Sequence, residues 1–365
     1  MNKCSYDTLN KNIKRRDDIY MLDVIVIGGG QAGLAAAYYL KQKSVDFLIL
    51  DGHKEVGDSW RDRYDSLHLF TPRMYNSLPG VPFQGDPQGL PHKNEVADYL
   101  KDYANRLELP IQSNTQVTSL TMNNGIFEVS TSEGTFRSKK VIVATGPFQK
   151  PLVPSFHDKL GDAVIQLHSS EYRNKNQLKE GVVCVVGAGN SGAQISSELA
   201  DDFEVHLSAS SEIQYKPLHI FGKSIFWYFD KVGFLTANRK SMLGKWLHAM
   251  PEQIYGKELK LLIQQGRIKL HARTEKIVDQ KLYFQNEGTP IHIDNIIWAT
   301  GFKRDDHWID IKAAFKDGHI DHMEGVSVVK GLYFVGLPWQ TSRGSALLGW
   351  VKYDAKRIVD HLLRE

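Results

Sequence analysis

The sequence predicts an α/β protein with two parallel-sheet units, the second inserted into the first. Two glycine-rich turns favour this class, because each follows a run of β-branched apolar residues and precedes a helical segment. The third observation is a repeated strand-to-glycine turn, at Val143–Gly146 and again at Ile297–Gly301. Since the two turns end alike, we expect the chain to leave the first unit and to re-enter it at matching places.

The first glycine turn follows the strand-like segment 24–27 and has the spacing G-x-G-x-x-G at Gly28, Gly30 and Gly33. The first glycine permits a tight turn, the second lets the backbone approach a pyrophosphate, and the third lets helix and strand pack closely. The helix N-terminus then offers free N–H groups to the phosphates. Asp51 ends the next strand, at about the 20-residue offset of an acid that binds ribose hydroxyls. The pattern predicts a Rossmann-like, three-layer dinucleotide-binding unit, with an ordinary glycine-rich turn as the alternative.

The segment between the two glycine turns has four recognisable parts. Residues 56–64 form a polar loop whose tryptophan indicates either a functional loop or a cap on the core. Helical spacing over 94–106 predicts a helix with Asn94 as its N-cap. A hairpin is predicted from segments 126–129 and 135–137, and a separate buried strand from 140–143.

The second glycine turn follows a proline-rich crossing and an apolar strand at 182–186. Gly187, Gly189 and Gly192 repeat the G-x-G-x-x-G spacing. Ser210 stands where the first unit has its acid. An acid there favours NAD and an arginine favours NADP, so the choice between NADH and NADPH stays open.

The expected domain boundaries follow from these segments. Residues 1–20 form a polar N-terminal extension, residues 21–150 and 290–365 the first unit, and residues 151–289 the second. An amphipathic helix is expected from about 346 to 363. Its N-terminus would either face a ring carbonyl that carries negative charge or simply close the core.

Composition excludes several classes of protein. The chain has 365 residues, a formal charge of +3 and two cysteines, Cys4 and Cys184. The small, dispersed charge argues against nucleic acid or an acidic membrane surface as a partner. The sequence contains no run of about 18 apolar residues, so no membrane span is predicted. Two distant cysteines exclude a disulfide framework and a dithiol pair, and they fit a reducing, cytoplasmic compartment. The histidines lack ligand spacing, so no metal site is predicted.

At this point the sequence resembles the class B flavin-dependent monooxygenases, and most closely the short bacterial members related to flavin-containing monooxygenases. The resemblance covers nearly everything from Asp23 to the C-terminus. The segments that carry it are 28–33, 57–61, 144–146, 187–192, 299–301, 331–336 and 344–349.

The resemblance implies FAD in the first unit and NADPH or NADH as co-substrate in the second. For FAD the candidate residues are Gly28, Gly30, Gln31, Ala32, Gly33, Asp51, Trp60, Arg61, Ser345, Ala346 and Leu347. For the pyridine nucleotide they are Gly187, Gly189, Asn190, Ser191, Gly192 and Ser210. Further cofactor-binding candidates, not divided between the two, are Gly52, His68, Thr145, Gly146, Thr300 and Gly301.

The segment His168–Arg173 fits the second half of the family's F-x-G-x-x-x-H signature. The first half does not fit, because Gly161 and His168 are farther apart than the glycine and histidine of the signature. His168 and Tyr172 are therefore candidates for linker residues that position the nicotinamide. No acid or base is assigned.

The implied activity is a monooxygenase that inserts one O₂ oxygen into a small nitrogen- or sulfur-containing, or carbonyl, substrate through a C4a-hydroperoxyflavin. The alternatives are an NAD(P)H-dependent flavin reductase or oxidase that passes electrons to O₂, a quinone or a protein, and a redox sensor without turnover. Beyond the substrate and O₂, a homodimer is left open. Segments 67–70, 221–234 and 339–343 are candidates for the substrate cavity.

Overall fold

The computed structural model describes residues 21–365, and the expected N-terminal extension lies outside the described residues. In this range no helix has the length and apolar character needed to span a membrane. The α-helices, α1 to α8 in chain order, are Gln31–Gln42, Asp58–Arg61, Lys93–Arg106, Asn190–Leu199, Ile225–Lys231, Met242–His248, Glu258–Gln264 and Val351–Leu362. Short 3₁₀ helices are Arg73–Tyr75, His157–Lys159, Lys175–Gln177, Lys312–Ala314 and Arg343–Ala346.

The strands, β1 to β25 in chain order, are Met21–Ile27, Phe47–Leu50, Ile111–Gln112, Val117–Asn123, Ile126–Thr131, Gly134–Val143, Lys150–Pro151, Ile165–His168, Val182–Val186, Glu204–Ser208, Gln214–Lys216, His219–Ile220, Lys223–Ser224, Gln253–Tyr255, Ile268–His271, Thr274–Val278, Lys281–Phe284, Ile291–His292, Asn295–Trp298, Phe302–Lys303, Phe315–Lys316, His319–Ile320, His322–Met323, Val326–Ser327 and Leu332–Phe334.

The first sheet has nine strands, seven of them in the order β23-β24-β25-β6-β1-β2-β3, while β4 pairs with β5 and β5 with β6. β1 is parallel to both β2 and β6. Because side chains alternate along a strand, Val24 and Val26 enter one core with helices α1 and α8, while Ile25 and Ile27 enter a second core on the opposite face. From Val24 to Ile27 the strand is therefore apolar on both faces, as the sequence predicts, and the α/β class is confirmed.

The second sheet is wholly parallel, in the order β15-β10-β9-β19-β8. β19, residues Asn295–Trp298, lies between β9 and β8 in this sheet. The expected boundary at residue 290 is therefore too early, because a buried strand that needs a parallel partner on each side finds both in the second sheet. The inserted unit continues through Trp298.

The two crossings between the sheets lie side by side. Outgoing β7, Lys150–Pro151, pairs antiparallel with returning β20, Phe302–Lys303. The chain thus leaves and re-enters the first unit through one two-stranded link, and the Leu152 N–H donates to the Gly301 oxygen across it at 3.0 Å.

Three local predictions need correction. The expected strands at 135–137 and 140–143 are one continuous strand, β6, which pairs with β5 at its first half and with β1 from Arg137 to Val143. The predicted C-terminal helix begins only at Val351, because the chain is extended at Leu347 after a 3₁₀ turn. Helix α3 begins at Lys93, and His92 rather than Asn94 is its N-cap.

Candidate functional site

The first glycine turn is closed on one side and open on the other. Gly28 has φ of 107°, and a Cβ atom there would lie 2.7 Å from the Ala144 carbonyl oxygen. A Cβ atom at Gly33 would lie 1.9 Å from the Gly28 oxygen, so both positions exclude a side chain. At Gly30, by contrast, a Cβ atom would meet nothing within 4 Å. The N-terminus of α1 therefore faces open space, as a pyrophosphate-binding turn requires.

The second glycine turn repeats this geometry. Gly187 also has φ of 107°, with its Cβ position 2.3 Å from the Ala299 oxygen, and Gly192 would place a Cβ atom 1.8 Å from the Gly187 oxygen. One feature differs from the first turn. The Glu252 carboxylate accepts a hydrogen bond from Asn190 Nδ2 at 3.0 Å, and its Oε2 lies 3.5 Å from the Cβ position of Gly189.

Asp51 is a buried acid tied to the first glycine turn. Its Oδ2 accepts the Gly29 N–H, and its Oδ1 accepts the His53 N–H at 2.7 Å and contacts His53 Nδ1 at 2.9 Å. Burial raises the pKa of Asp51, but the hydrogen bonds from His53 and Gly29 outweigh burial and the pKa is lowered. The same side-chain hydrogen bond raises the pKa of His53. A Cβ atom at Gly52 would clash with Gln116, 2.3 Å away.

Three candidate FAD residues from separate elements are brought together. Trp60 Nε1 donates to Gln31 Oε1 at 3.2 Å, and Gln31 Nε2 donates to the Ala346 oxygen at 3.0 Å. The Ser345 side chain points inward and accepts the Thr341 N–H at 3.0 Å. The start of α1, the tryptophan loop (here residues 56–68) and the C-terminal turn (Arg343–Ala346) thus form one connected wall, and Ala32 beside it is buried.

Arg61 and His68 are occupied by protein contacts. The Arg61 guanidinium donates to Asp58 at 3.1 Å and to Asp98 at 2.8 Å, so it joins α2 to α3. His68 Nδ1 lies 3.0 Å from the Ser66 oxygen. Arg61 therefore links two helices, whereas the His68 side chain is exposed and bonded locally.

The strand-to-glycine turns keep their backbone free for close approach. Gly146 and Gly301 have φ of 71° and 85°, and a Cβ atom at either would meet nothing within 4 Å. The Thr145 hydroxyl accepts the Gln149 amide at 2.8 Å, and the Thr300 hydroxyl donates to the Leu152 oxygen. Both threonines therefore hold the outgoing crossing, Thr145 through Gln149 and Thr300 through Leu152.

His168 ends β8 and contacts the returning crossing. Its Nε2 lies 3.0 Å from the Gly301 oxygen, and its Nδ1 lies 2.8 Å from Ser170 Oγ. Its ring packs edge to face with that of Phe302, with 4.9 Å between the ring centres. Burial lowers the pKa of His168, although the contact with the Gly301 oxygen opposes that effect. The imidazole is therefore neutral at pH 7, with the Nε2 proton directed at a carbonyl that can only accept.

Tyr172 lies beneath helix α4 with no exposed surface. Its hydroxyl donates to Glu198 Oε1 at 2.9 Å, and burial raises its pKa. Because Glu198 lies on the helix that follows the second glycine turn, this bond ties Tyr172 to that helix.

The tryptophan loop reaches from the first unit to the second. Tyr64 donates to Gln194 Oε1 at 3.0 Å, Gln194 Nε2 donates to the His68 oxygen at 3.0 Å, and Ser66 donates to Glu198 at 2.5 Å. All these contacts lie along α4. The loop that carries Trp60 therefore connects the two glycine turns. Ser191 lies at the start of the same helix, whereas Ser210 is exposed beyond β10.

Sequence reasoning missed two residues, Arg63 and Glu252. The Arg63 guanidinium lies 5.4 Å from the Phe148 ring centre and 5.1 Å from that of Phe302, one ring from each crossing, and burial lowers its pKa. The loop composition shows an arginine but not which rings it meets. Glu252 is distant in sequence from the turn that it contacts, so no local signal marks it.

Comparison with known proteins agrees with this geometry. The family model for the pyridine nucleotide-disulphide oxidoreductases matches residues 25–217. An uncharacterized CzcO-like oxidoreductase of Geobacillus kaustophilus is 51% identical over 94% of this chain and 99% of its own. The probable indole-3-pyruvate monooxygenase YUCCA1 of Arabidopsis thaliana is 30% identical over 97% of this chain and 92% of its own.

Among solved structures, the flavin-containing monooxygenase of Stenotrophomonas maltophilia has the same fold. Its TM-score is 0.79 at 24% identity, over 95% of this chain and 99% of that one. The resemblance to the flavin-dependent monooxygenases is confirmed. The chain belongs to the pyridine nucleotide-disulphide oxidoreductase family and is a flavin-dependent oxidoreductase that uses FAD and a pyridine nucleotide.

Proposed function

We propose that this chain is an FAD-dependent, NAD(P)H-using monooxygenase that inserts one oxygen atom of O₂ into a small nitrogen- or sulfur-containing, or carbonyl, substrate. The observation that carries the proposal is the contact of the tryptophan loop with α4, through Tyr64, Ser66 and the His68 backbone. It joins the two glycine turns in one continuous structure. Electron transfer from one nucleotide to the other needs such a junction.

The first unit fits FAD. The open side of the Gly30 turn would receive the pyrophosphate, and the ionised Asp51 beside it suits a ribose. The wall of Gln31, Trp60 and Ala346 would border the ring system. When bound, FAD supplies the redox chemistry, accepting hydride from the pyridine nucleotide and activating O₂.

The second unit fits the pyridine nucleotide at the Gly187–Gly192 turn. The Glu252 carboxylate beside Gly189 would have to move or to meet a ribose hydroxyl, since it repels a pyrophosphate. Neutral His168 ties the inserted unit to the crossing at Gly301 and so fixes the angle at which the nucleotide meets the first unit. No side chain is needed as acid or base.

All three expected cavity segments meet beside the C-terminal turn. The Phe70 ring stacks on those of Phe226 and Tyr255, with 5.8 Å and 4.9 Å between the ring centres. Arg343 Nη2 donates to the Tyr255 hydroxyl at 3.1 Å. Leu347 packs against the same aromatic cluster, next to the proposed flavin wall. The apolar surface would exclude water from the reacting atoms, which oxygen transfer requires.

The test measures where the oxygen goes. Purified holoenzyme is supplied with NADPH or NADH, ¹⁸O₂ and, separately, a thioether, a primary amine and a 2-oxo acid. We expect one ¹⁸O atom in at least one product, detected by mass spectrometry, with less than stoichiometric H₂O₂. Stoichiometric H₂O₂ and no labelled product from any substrate would establish the oxidase alternative instead.

A further inference from the structure

A hairpin of the inserted unit exposes a large aromatic side chain at its tip. Strands β12 and β13, His219–Ile220 and Lys223–Ser224, are joined by Phe221 and Gly222. Phe221 is 95% exposed, and its φ is 47°, a left-handed conformation that bulky residues rarely adopt. The two-residue turn requires positive φ at both central residues, where Asn-Gly is the usual pair. A bulky apolar ring at this position, held in water, suits a function rather than packing.

The chain around this tip is basic and carries other exposed apolar side chains. Within residues 216–248 the cationic residues outnumber the single acid, Asp230; they are Lys216, Lys223, Lys231, Arg239, Lys240 and Lys245. Met242 is 90% exposed, Val232 58% and Trp246 54%. The chain carries only +3 overall, but this segment holds six cations against one acid, so the expectation of dispersed charge, which argued against an acidic membrane surface, does not hold for it.

A cavity of about 530 Å³ opens beside the same hairpin. Lys216, Lys257 and Lys260 line it together with His219, and no acidic residue does. Ile220, next to the exposed tip, forms part of its apolar wall. The cavity thus combines three cations with apolar surface, the combination that an anionic, amphiphilic molecule requires.

We infer that the hairpin docks on an anionic phospholipid surface, with a phosphate headgroup in the lysine cavity and Phe221 inserted at the acyl boundary. Basic residues around exposed Phe, Trp and Met side chains are typical of interfacial attachment. A second copy of the chain is a poorer occupant, because a symmetric contact would place these cations against each other. A nucleic acid would use the lysines but not the apolar tip.

The inference goes beyond the proposed function and does not depend on it. The inner face of the same segment, Ile225, Phe226 and Leu235, packs on Trp350 beside the C-terminal turn. Attachment would therefore bring the aromatic cluster close to the lipid, from which an apolar substrate could enter.

The test is sedimentation of the full-length holoenzyme with vesicles of phosphatidylcholine alone or mixed with phosphatidylglycerol. We expect binding to the mixed vesicles that falls with added salt. Phe221→Ser should weaken it about tenfold or more, from the apolar area withdrawn. Replacing both Lys257 and Lys260 by Gln should weaken it about thirtyfold, at roughly fivefold for each exposed lysine.

Matched controls lie elsewhere on the surface. Met323→Ser removes a 68% exposed apolar side chain from the edge of the first sheet, and Lys43→Gln removes an exposed lysine at the end of α1. Both should bind vesicles as the parent chain does. Equal loss in the controls, or no binding to anionic vesicles, would overturn the inference.

Three rival occupants give distinct results, and each would overturn the inference. If the lysine variants raise the KM for NADPH and leave vesicle binding unchanged, the cavity holds the coenzyme phosphate. Inorganic phosphate that binds the cavity while vesicles do not would indicate a soluble anion. A dimer that Phe221→Ser dissociates, again without vesicle binding, would assign the tip to a second copy.

Discussion

His53 Nδ1 lies 2.9 Å from Asp51 Oδ1, while the other carboxylate oxygen of Asp51 accepts the Gly29 N–H of the first glycine turn. The strand-end acid is thereby held against the turn by protein contacts alone. The second unit has no such arrangement, because Ser210 is exposed beyond its strand. The two units therefore differ in how rigidly they define a ribose site.

The Asp51–His53 pair predicts a dependence of stability on pH. The pKa of His53 is raised, so its contribution is complete below the unfolded pKa, about 6.5, and is lost as pH rises through the folded value. The pKa of Asp51 is lowered, so its contribution is lost only as acid pH falls through that value. Urea midpoints should therefore fall as pH rises above about 6.5. His53→Gln should reduce this alkaline decline and leave part of the acid decline; an unchanged alkaline decline would refute the pairing.

Gly30→Asp is expected to give a folded but colourless protein. Residue 30 is the N-cap of α1 in extended conformation, where Asp and Asn are favourable and a Cβ atom meets nothing. A carboxylate there would repel the FAD pyrophosphate. Gly30→Asn is the matched control, since it has similar size without charge and should retain more flavin. Bound flavin is measured by absorbance and folding by circular dichroism; a fully yellow Gly30→Asp protein would contradict the assignment.

Gly28→Ala should behave differently from the Gly30 variants. Its Cβ atom would lie 2.7 Å from the Ala144 oxygen at φ of 107°, so we expect a loss of about 1–3 kcal/mol in unfolding free energy. Urea denaturation compares the unfolding free energies of Gly28→Ala and Gly30→Ala. Equal values would contradict the close contact between Gly28 and Ala144.

Gly189→Asp is expected to keep the yellow colour but to slow flavin reduction by NAD(P)H. The residue is the N-cap of α4, and the new carboxylate would join that of Glu252 at the mouth of the second turn. Gly189→Asn removes the added charge, and Glu252→Gln tests the carboxylate already present. Anaerobic stopped-flow reduction should rank the coenzyme affinities as Glu252→Gln above the parent and Gly189→Asp below it. The opposite order for Glu252→Gln would mean that Glu252 binds the nucleotide.

The sequence was sufficient for features that depend on local spacing. Both glycine turns, the alternating core of β1 and the position of Asp51 follow from residue types a few positions apart. What it could not show are relations between distant segments. The place of β19 in the second sheet, the meeting of Arg63 with the rings of both crossings and the approach of Glu252 to Gly189 depend on packing of the whole chain. The late start of α8 is a similar case, since Gly349 lies against the Tyr75 backbone.

His168 offers a test of the crossing itself. His168 is 3% exposed, and its ring bonds the Gly301 oxygen and the Ser170 N–H. His168→Leu leaves both groups without that partner, so we expect the unfolding free energy to fall by about 1–3 kcal/mol. Because burial lowers the pKa of His168, the parent chain should also lose stability as pH falls below about 6.5, where the unfolded state takes up the proton first. His168→Gln, which keeps a donor, should be less destabilised and lack that acid dependence. If flavin content is unchanged in both variants while the KM for NAD(P)H rises with little change in kcat, His168 positions the inserted unit; an unchanged KM would limit it to stability.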